Sequence, residues 1–111
     1  MLLLLGPTAS GKNTVAKELA YQLERCAVVD FDLVRAMFVH PHKTPWDGEE
    51  GSSQQHLGTH MVCDVAERFE AAGWDVVILD VPSSETLKIY RQRLSDSRLK
   101  VSNFYQRIKR C

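Results

Sequence analysis

The sequence has no excess charge of either sign. Lys plus Arg number 14, Asp plus Glu also number 14, and the formal net charge is zero. That balance removes the bulk electrostatic case for nucleic acid or an anionic membrane as the main partner. Long apolar runs are missing too. The longest lies near residues 76–79, far short of the ~20 residues that a membrane span requires. Residues 1–5 are apolar but too short for the core of a signal peptide, and no basic segment precedes them. Cysteine is sparse and odd in number, with Cys26, Cys63 and Cys111 widely spaced. That pattern is no disulfide framework, and without an export signal it predicts reduced thiols in a cytoplasmic protein. No internal repeat and no low-complexity tract occurs. What remains is 111 residues, 44% hydrophobic and 25% charged, which is the composition of one small globular domain.

Three stretches carry nearly unbroken apolar side chains: residues 2–5, 26–29 and 75–81. Such runs, as opposed to alternating ones, predict strands buried on both faces of a parallel sheet. Between them the period lengthens. Val15, Ala16, Leu19, Ala20 and Leu23 form a helical stripe over residues 12–25. Leu57, Met61, Val62, Val65, Phe69 and Ala72 form another over 53–72, with Gly73 as its stop. Residues 32–39 and 86–94 predict two short helices, the second capped by Ser83 or Ser84. Residues 40–51 hold two prolines and two glycines and predict a loop, and residues 98–101 predict a fourth strand. Alternation of this kind predicts an α/β fold with right-handed crossovers. Residues 1–101 form the expected domain, and 102–111 an irregular basic tail.

The sharpest motif follows the first strand. Gly6, Pro7, Thr8, Ala9, Ser10, Gly11 and Lys12 satisfy G-x-x-x-x-G-K at the mouth of an amphipathic helix. Two glycines permit a tight loop whose N–H groups converge on phosphate, and the helix N-terminus adds its positive dipole. Lys12 is placed to reach the β- and γ-phosphates. The bland alternative is a strand-to-helix turn that binds nothing. The next position, where a hydroxyl residue ordinarily ligates Mg²⁺, holds Asn13, with Thr14 after it. The Asn13 carbonyl or the Thr14 hydroxyl is the expected substitute.

Asp30-Phe31-Asp32-Leu33-Val34-Arg35 follows the second strand, so its carboxylates belong on the same sheet edge as the phosphate loop. Asp32 there can accept a proton from an acceptor hydroxyl while Arg35 holds a polar or anionic group. Asp32 is equally a good N-cap for the helix it begins, and Arg35 suits a surface or salt-bridge role. Asp80 ends the third strand. If that strand neighbours the first, Asp80 faces the Mg²⁺ site.

Other groupings are weaker. His56, His60 and Cys63 share a helical face by spacing, which alone permits Zn²⁺, but no paired cysteines or H-E-x-x-H accompany them. Scattered helix residues are the preferred reading. Trp46, Glu49 and Glu50 lie in a loop that could close over substrate or simply face solvent. Tyr105, Arg107, Lys109 and Arg110 read as a solvated tail.

GPTASGKNT, VDFDLVR and VVILDV together resemble the P-loop kinases that phosphorylate small metabolites. These include adenylylsulfate kinase, gluconate kinase and chloramphenicol phosphotransferase. PWDGEEGSSQQHLG resembles bacterial members of an AAA-type ATP-binding group. The resemblance spans about residues 1–101. It implies a P-loop NTPase-like three-layer α/β/α parallel sheet, with ATP and Mg²⁺ as cofactors. It also implies γ-phosphoryl transfer to a hydroxyl of a small-molecule acceptor. Gly6 to Thr14 match the nucleotide loop, Asp32 the catalytic base and Arg35 the acceptor-binding arginine. The family continues past its fourth strand with an arginine-bearing lid that has no counterpart in residues 102–111. The expectation is therefore a fold incomplete at its C-terminus. A nucleotide-binding module without transfer, completed by a partner or a homodimer through the open sheet edge, is the alternative. GPTASGK also occurs in tRNA dimethylallyltransferase, but the surroundings of Asp30 do not match that enzyme.

Overall fold

The computed structural model describes residues 1–5 and 12–103, with the side chains of residues 12–15 and Asn103 left aside. Four strands, β1 (Leu2–Leu5), β2 (Cys26–Asp30), β3 (Asp75–Asp80) and β4 (Lys100–Asn103), form one parallel sheet in the order β2-β3-β1-β4. Four helices connect them: α1 (Lys12–Tyr21), α2 (Phe31–Arg35), α3 (Gly48–Ala71) and α4 (Ser84–Arg93). A 3₁₀ turn, Ser95–Ser97, precedes β4.

Strand order dictates the layering. The step from β1 to β2 runs one way along the sheet, and the steps to β3 and β4 run back the other way. Right-handed crossovers must then place α1 on one face and α3 with α4 on the opposite face. The two cores follow that division. Leu4, Val77 and Leu79 pack with Ala16 of α1, while Leu3, Val29, Val76 and Ile78 pack with Val62, Cys63, Ala66 and Tyr90 from α3 and α4. Alternate residues of β1 and β3 therefore serve opposite cores, which is why their sequences are apolar throughout.

Helix boundaries differ from the periodicity in instructive ways. α1 ends at Tyr21, before the expected residue 25, because the chain must reverse before β2 starts at Cys26. Gln22 N–H and Leu23 N–H bond back three residues and tighten the exit. α2 stops at Arg35, before residue 39, and its N-cap is Asp30 and not Asp32: the Asp30 carboxylate accepts the Asp32 N–H at 2.9 Å. α3 begins at Gly48, inside the stretch expected to be loop, with Glu49 and Glu50 complementing its positive end. Gly51 is a packing glycine, since a Cβ there would sit 1.9 Å from the Thr44 carbonyl oxygen.

The buried face of α3 is also rotated from the expected stripe. Gly58, Thr59, Val62, Cys63 and Ala66 face inward, whereas Leu57 and Val65 are 53% and 41% exposed. Small residues let the helix approach the sheet closely, and they outweigh the larger apolar residues in choosing the contact face. Gly73 ends the helix as expected, at φ 89°, with Trp74 N–H bonded to Phe69 C=O and Gly73 N–H to Glu70 C=O. Ser83, not Ser84, caps α4 by accepting the Thr86 N–H. The fourth strand begins and ends two residues later than expected and takes in Ser102 and Asn103. Among the described residues, no helix is long and apolar enough to cross a membrane.

Candidate functional site

In an open parallel sheet, ligands bind outside the carboxyl ends of the strands where the connections diverge. Here that point lies between β1 and β3, and the register pairs Leu5 with Asp80. β1 thus ends beside Asp80, at the residue that precedes the glycine-rich loop in sequence. The expected loop residues Gly6, Pro7, Thr8, Ala9, Ser10 and Gly11 lie outside the described residues. Lys12, Asn13 and Thr14 occupy the first turn of α1.

Asp80 is 5% exposed, and its two oxygens are used differently. Oδ2 accepts from the Tyr90 hydroxyl at 2.5 Å, and Oδ1 accepts the Val81 N–H at 2.6 Å. Tyr90 is fully buried beneath it. Burial first, and then the Asp80 charge and hydrogen bond, hold the Tyr90 hydroxyl far above its usual ionisation range. The phenol therefore remains a donor, and it fixes the carboxylate's orientation.

A cleft of about 420 Å³ opens over this sheet edge. Asp80, Asp32 and Arg35 all line it, so the three chemistry-bearing side chains singled out beyond the phosphate loop converge. Phe31 and Val81 form apolar wall, and the segment between α2 and α3 supplies His42, Thr44 and Trp46. Trp46 is 81% exposed at the rim.

Arg35 is not a surface residue: it is 6% exposed. Its Nε donates to Gln55 Oε1, its Nη1 to Gln54 Oε1 at 3.0 Å, and its Nη2 to the Lys43 carbonyl. The guanidinium also lies 5.0 Å from the centroid of Phe38. Burial pulls its pKa below the ordinary arginine value, with no carboxylate acting in the other direction. Desolvating such a charge costs several kcal/mol, and hydrogen bonds to a charged group return about 1.5–3 kcal/mol each. Three of them are enough to hold it.

Gln54, Gln55, Gly58 and Tyr90 escaped the sequence reading. Gln54 was detectable, because Gln54, Gly58, Val62 and Ala66 repeat every fourth residue and all are buried. A polar side chain on that stripe must satisfy its hydrogen bonds internally. Gly58 lets α2 lie against α3: a Cβ there would meet Phe31 Cε2 at 3.1 Å and Arg35 Cδ at 3.2 Å.

The other groupings separate. His56 Nε2 lies 3.4 Å from Glu85, His60 meets Arg93, and Cys63 is buried in the core. Among the described residues, no group of three metal-ligating side chains gathers. Glu50 accepts from Gln54, and Glu49 sits in the first turn of α3. Tyr105, Arg107, Lys109 and Arg110 lie outside the described residues.

The fold is shared with kinases. The chain is similar to the APS kinase of Mycobacterium tuberculosis, with TM-score 0.68 at 18% identity over 92% of this chain and 71% of that one. It is also similar to a candidate kinase from Chloroflexus aurantiacus, with TM-score 0.63 at 15% identity over 92% of this chain and 56% of the other. At such identities the likeness is one of fold, a four-stranded parallel sheet with helices on both faces. No protein-family model matches the sequence, and no curated protein sequence does.

Proposed function

We propose that this chain binds ATP with Mg²⁺ and transfers the γ-phosphoryl group to a hydroxyl of a small-molecule acceptor seated in the cleft. The convergence of Asp32, Arg35 and Asp80 on one cleft, beside the strand that leads into the glycine-rich loop, is the observation that carries this reading. The kinase fold of the similar structures supports it.

The loop Gly6 to Thr14 cradles the phosphates through backbone N–H groups, and Lys12 balances the β- and γ-phosphate charge. Arg35 clamps a polar or anionic group of the acceptor. Asp32 takes the proton of the acceptor hydroxyl as its oxygen bonds the γ-phosphorus. The bond to the β-phosphate oxygen breaks, and ADP leaves with that electron pair. Positioning supplies most of the acceleration in such a reaction.

The donors present fit Mg²⁺. Asp80 offers a hard carboxylate oxygen, already oriented by Tyr90 at the end of the strand paired with β1, and the Asn13 carbonyl or Thr14 hydroxyl would supply a second oxygen. When bound, the ion neutralises charge on the β- and γ-phosphates.

Transfer from ATP to a panel of hydroxyl compounds, with and without an anionic group, tests the assignment. Asp32→Asn is expected to lower kcat by about 10²–10⁴-fold, the usual worth of a general base, while ATP affinity holds. Undiminished transfer by that variant contradicts it. Asn13, in place of a hydroxyl residue, favours the second reading of nucleotide binding without transfer. ATP binding with no transfer to any acceptor would support that alternative.

A further inference from the structure

Arg35 is buried, yet none of the ion pairs among the described residues includes it. Its three hydrogen-bond partners, Gln54 Oε1, Gln55 Oε1 and Lys43 C=O, are all neutral. Buried cations ordinarily take a carboxylate. Asp32 and Asp80 share the cleft, and no ion pair among the described residues joins either to Arg35.

Gln54 shows how tightly the arrangement is built. Its Oε1 accepts from Arg35 Nη1 and from Lys43 N–H, each at 3.0 Å. Its Nε2 donates to the Pro41 carbonyl at 3.0 Å and to Glu50 Oε1 at 2.9 Å. All four capacities of the carboxamide are used, and the residue is 4% exposed. One side chain therefore ties the guanidinium to the segment that carries His42, Thr44 and Trp46. Gln55 is half-buried and lines the cleft itself.

A carboxamide and a carboxylate have nearly the same shape, and either can accept from Arg35. They differ in charge. A carboxylate at position 55 would hold the guanidinium equally well and cancel its field. An amide holds it and leaves the positive charge facing the cleft. A guanidinium has five N–H groups, and three are occupied. The remaining two, one on Nη1 and one on Nη2, can make the charge-assisted bonds that an anion's oxygens accept.

We propose that Gln54 and Gln55 set the specificity of this cleft, fixing Arg35 through neutral oxygens so that its charge is kept for a carboxylate, sulfate or phosphoryl group on the acceptor. Gln54 is the positioning residue, and Gln55 is the position at which charge selectivity is decided. The inference rests on the reading of the cleft as the acceptor site.

Inorganic sulfate is the probe, titrated calorimetrically at constant ionic strength with Mg-ADP present to fill the phosphate loop. Wild type, Arg35→Met and Gln55→Glu are compared, each with a thermal melt. Arg35→Met is expected to lose saturable sulfate binding. Gln55→Glu is expected to lose at least about tenfold in affinity while its Tm holds or rises, since the new carboxylate pairs with Arg35. A purely structural glutamine predicts no such loss, because glutamate makes the same hydrogen bond. If Arg35→Met loses binding and Gln55→Glu binds as wild type, the charge assignment is overturned and the acceptor reading stands. If Arg35→Met binds sulfate normally, or wild type shows no saturable binding, the acceptor reading falls and this inference falls with it.

Discussion

At the scale of single residues, the site is organised by groups that do no chemistry. Tyr90 is the clearest case, a buried phenol whose hydroxyl aims the Asp80 carboxylate. Tyr90→Phe keeps the ring and removes the donor, so urea unfolding should register a loss of about 1.5–3 kcal/mol, the worth of a hydrogen bond to a charged group. An unchanged midpoint would mean the contact contributes nothing. The same residue makes a pH prediction. Its ionisation is raised above the usual value near 10 by burial and by Asp80. The folded state therefore favours the protonated phenol, its contribution is complete below pH 10, and it fades as pH climbs beyond that. Ultraviolet titration should find Tyr90 silent until the chain unfolds. Cys63 behaves alike: burial pushes its thiol up to about 11. A thiolate is scarce at neutral pH, and Cys63 should resist alkylation in the native protein yet react on unfolding. Rapid native labelling of Cys63 would contradict its placement in the core.

At the scale of elements, α3 decides the shape of the cleft. Its first turn is pinned where Gly51 faces the Thr44 carbonyl at a separation no side chain tolerates. Gly51→Ala sets two effects against each other. Helix propensity favours alanine by about 1 kcal/mol, whereas forcing a backbone carbonyl aside costs about 1–3 kcal/mol. The clash is with backbone and not with a flexible tip, so the variant should be less stable by denaturant unfolding. A more stable variant would refute that placement of the segment. Here the sequence misleads for a physical reason. Glycine in a window with two prolines reads as loop, but Gly51 is a helical glycine chosen, like Gly58 further along α3, for close approach. Close approach is a property of two segments together and leaves no local signal. The N-cap of α2 is ambiguous in the same way, because Asp30 and Asp32 both suit the role and only the strand's end decides for Asp30. What periodicity did reveal was the order of strands and helices, since burial on both faces makes an apolar run unmistakable. The motif residues Asp32, Arg35 and Asp80 were legible for the same reason: each stands at the carboxyl end of such a run or just beyond it. Gln54 and Gln55, by contrast, serve Arg35 across 19 and 20 residues of sequence, a partnership that no local pattern encodes.

At the scale of the molecule, β1 and β3 bind the two cores into one unit. Ile78 points to the α3 and α4 side, Leu79 to the α1 side, and both are almost fully buried. Truncating either to alanine should cost about 2–5 kcal/mol, and both variants should unfold in a single transition seen by every probe. Two separate transitions would show that the faces fold independently. The same central strands connect stability to function, because Leu5 and Asp80, their paired last residues, frame the entry to the glycine-rich loop. A ligand gripping that loop and the sheet edge stabilises the native state by mass action. The most direct test of the whole account is therefore a thermal melt of the wild-type chain with and without Mg-ATP, alongside Lys12→Ala. The account predicts one cooperative transition that moves upward with Mg-ATP in the wild type and stays in place in the variant. A cooperative wild-type melt that Mg-ATP leaves unmoved would contradict it.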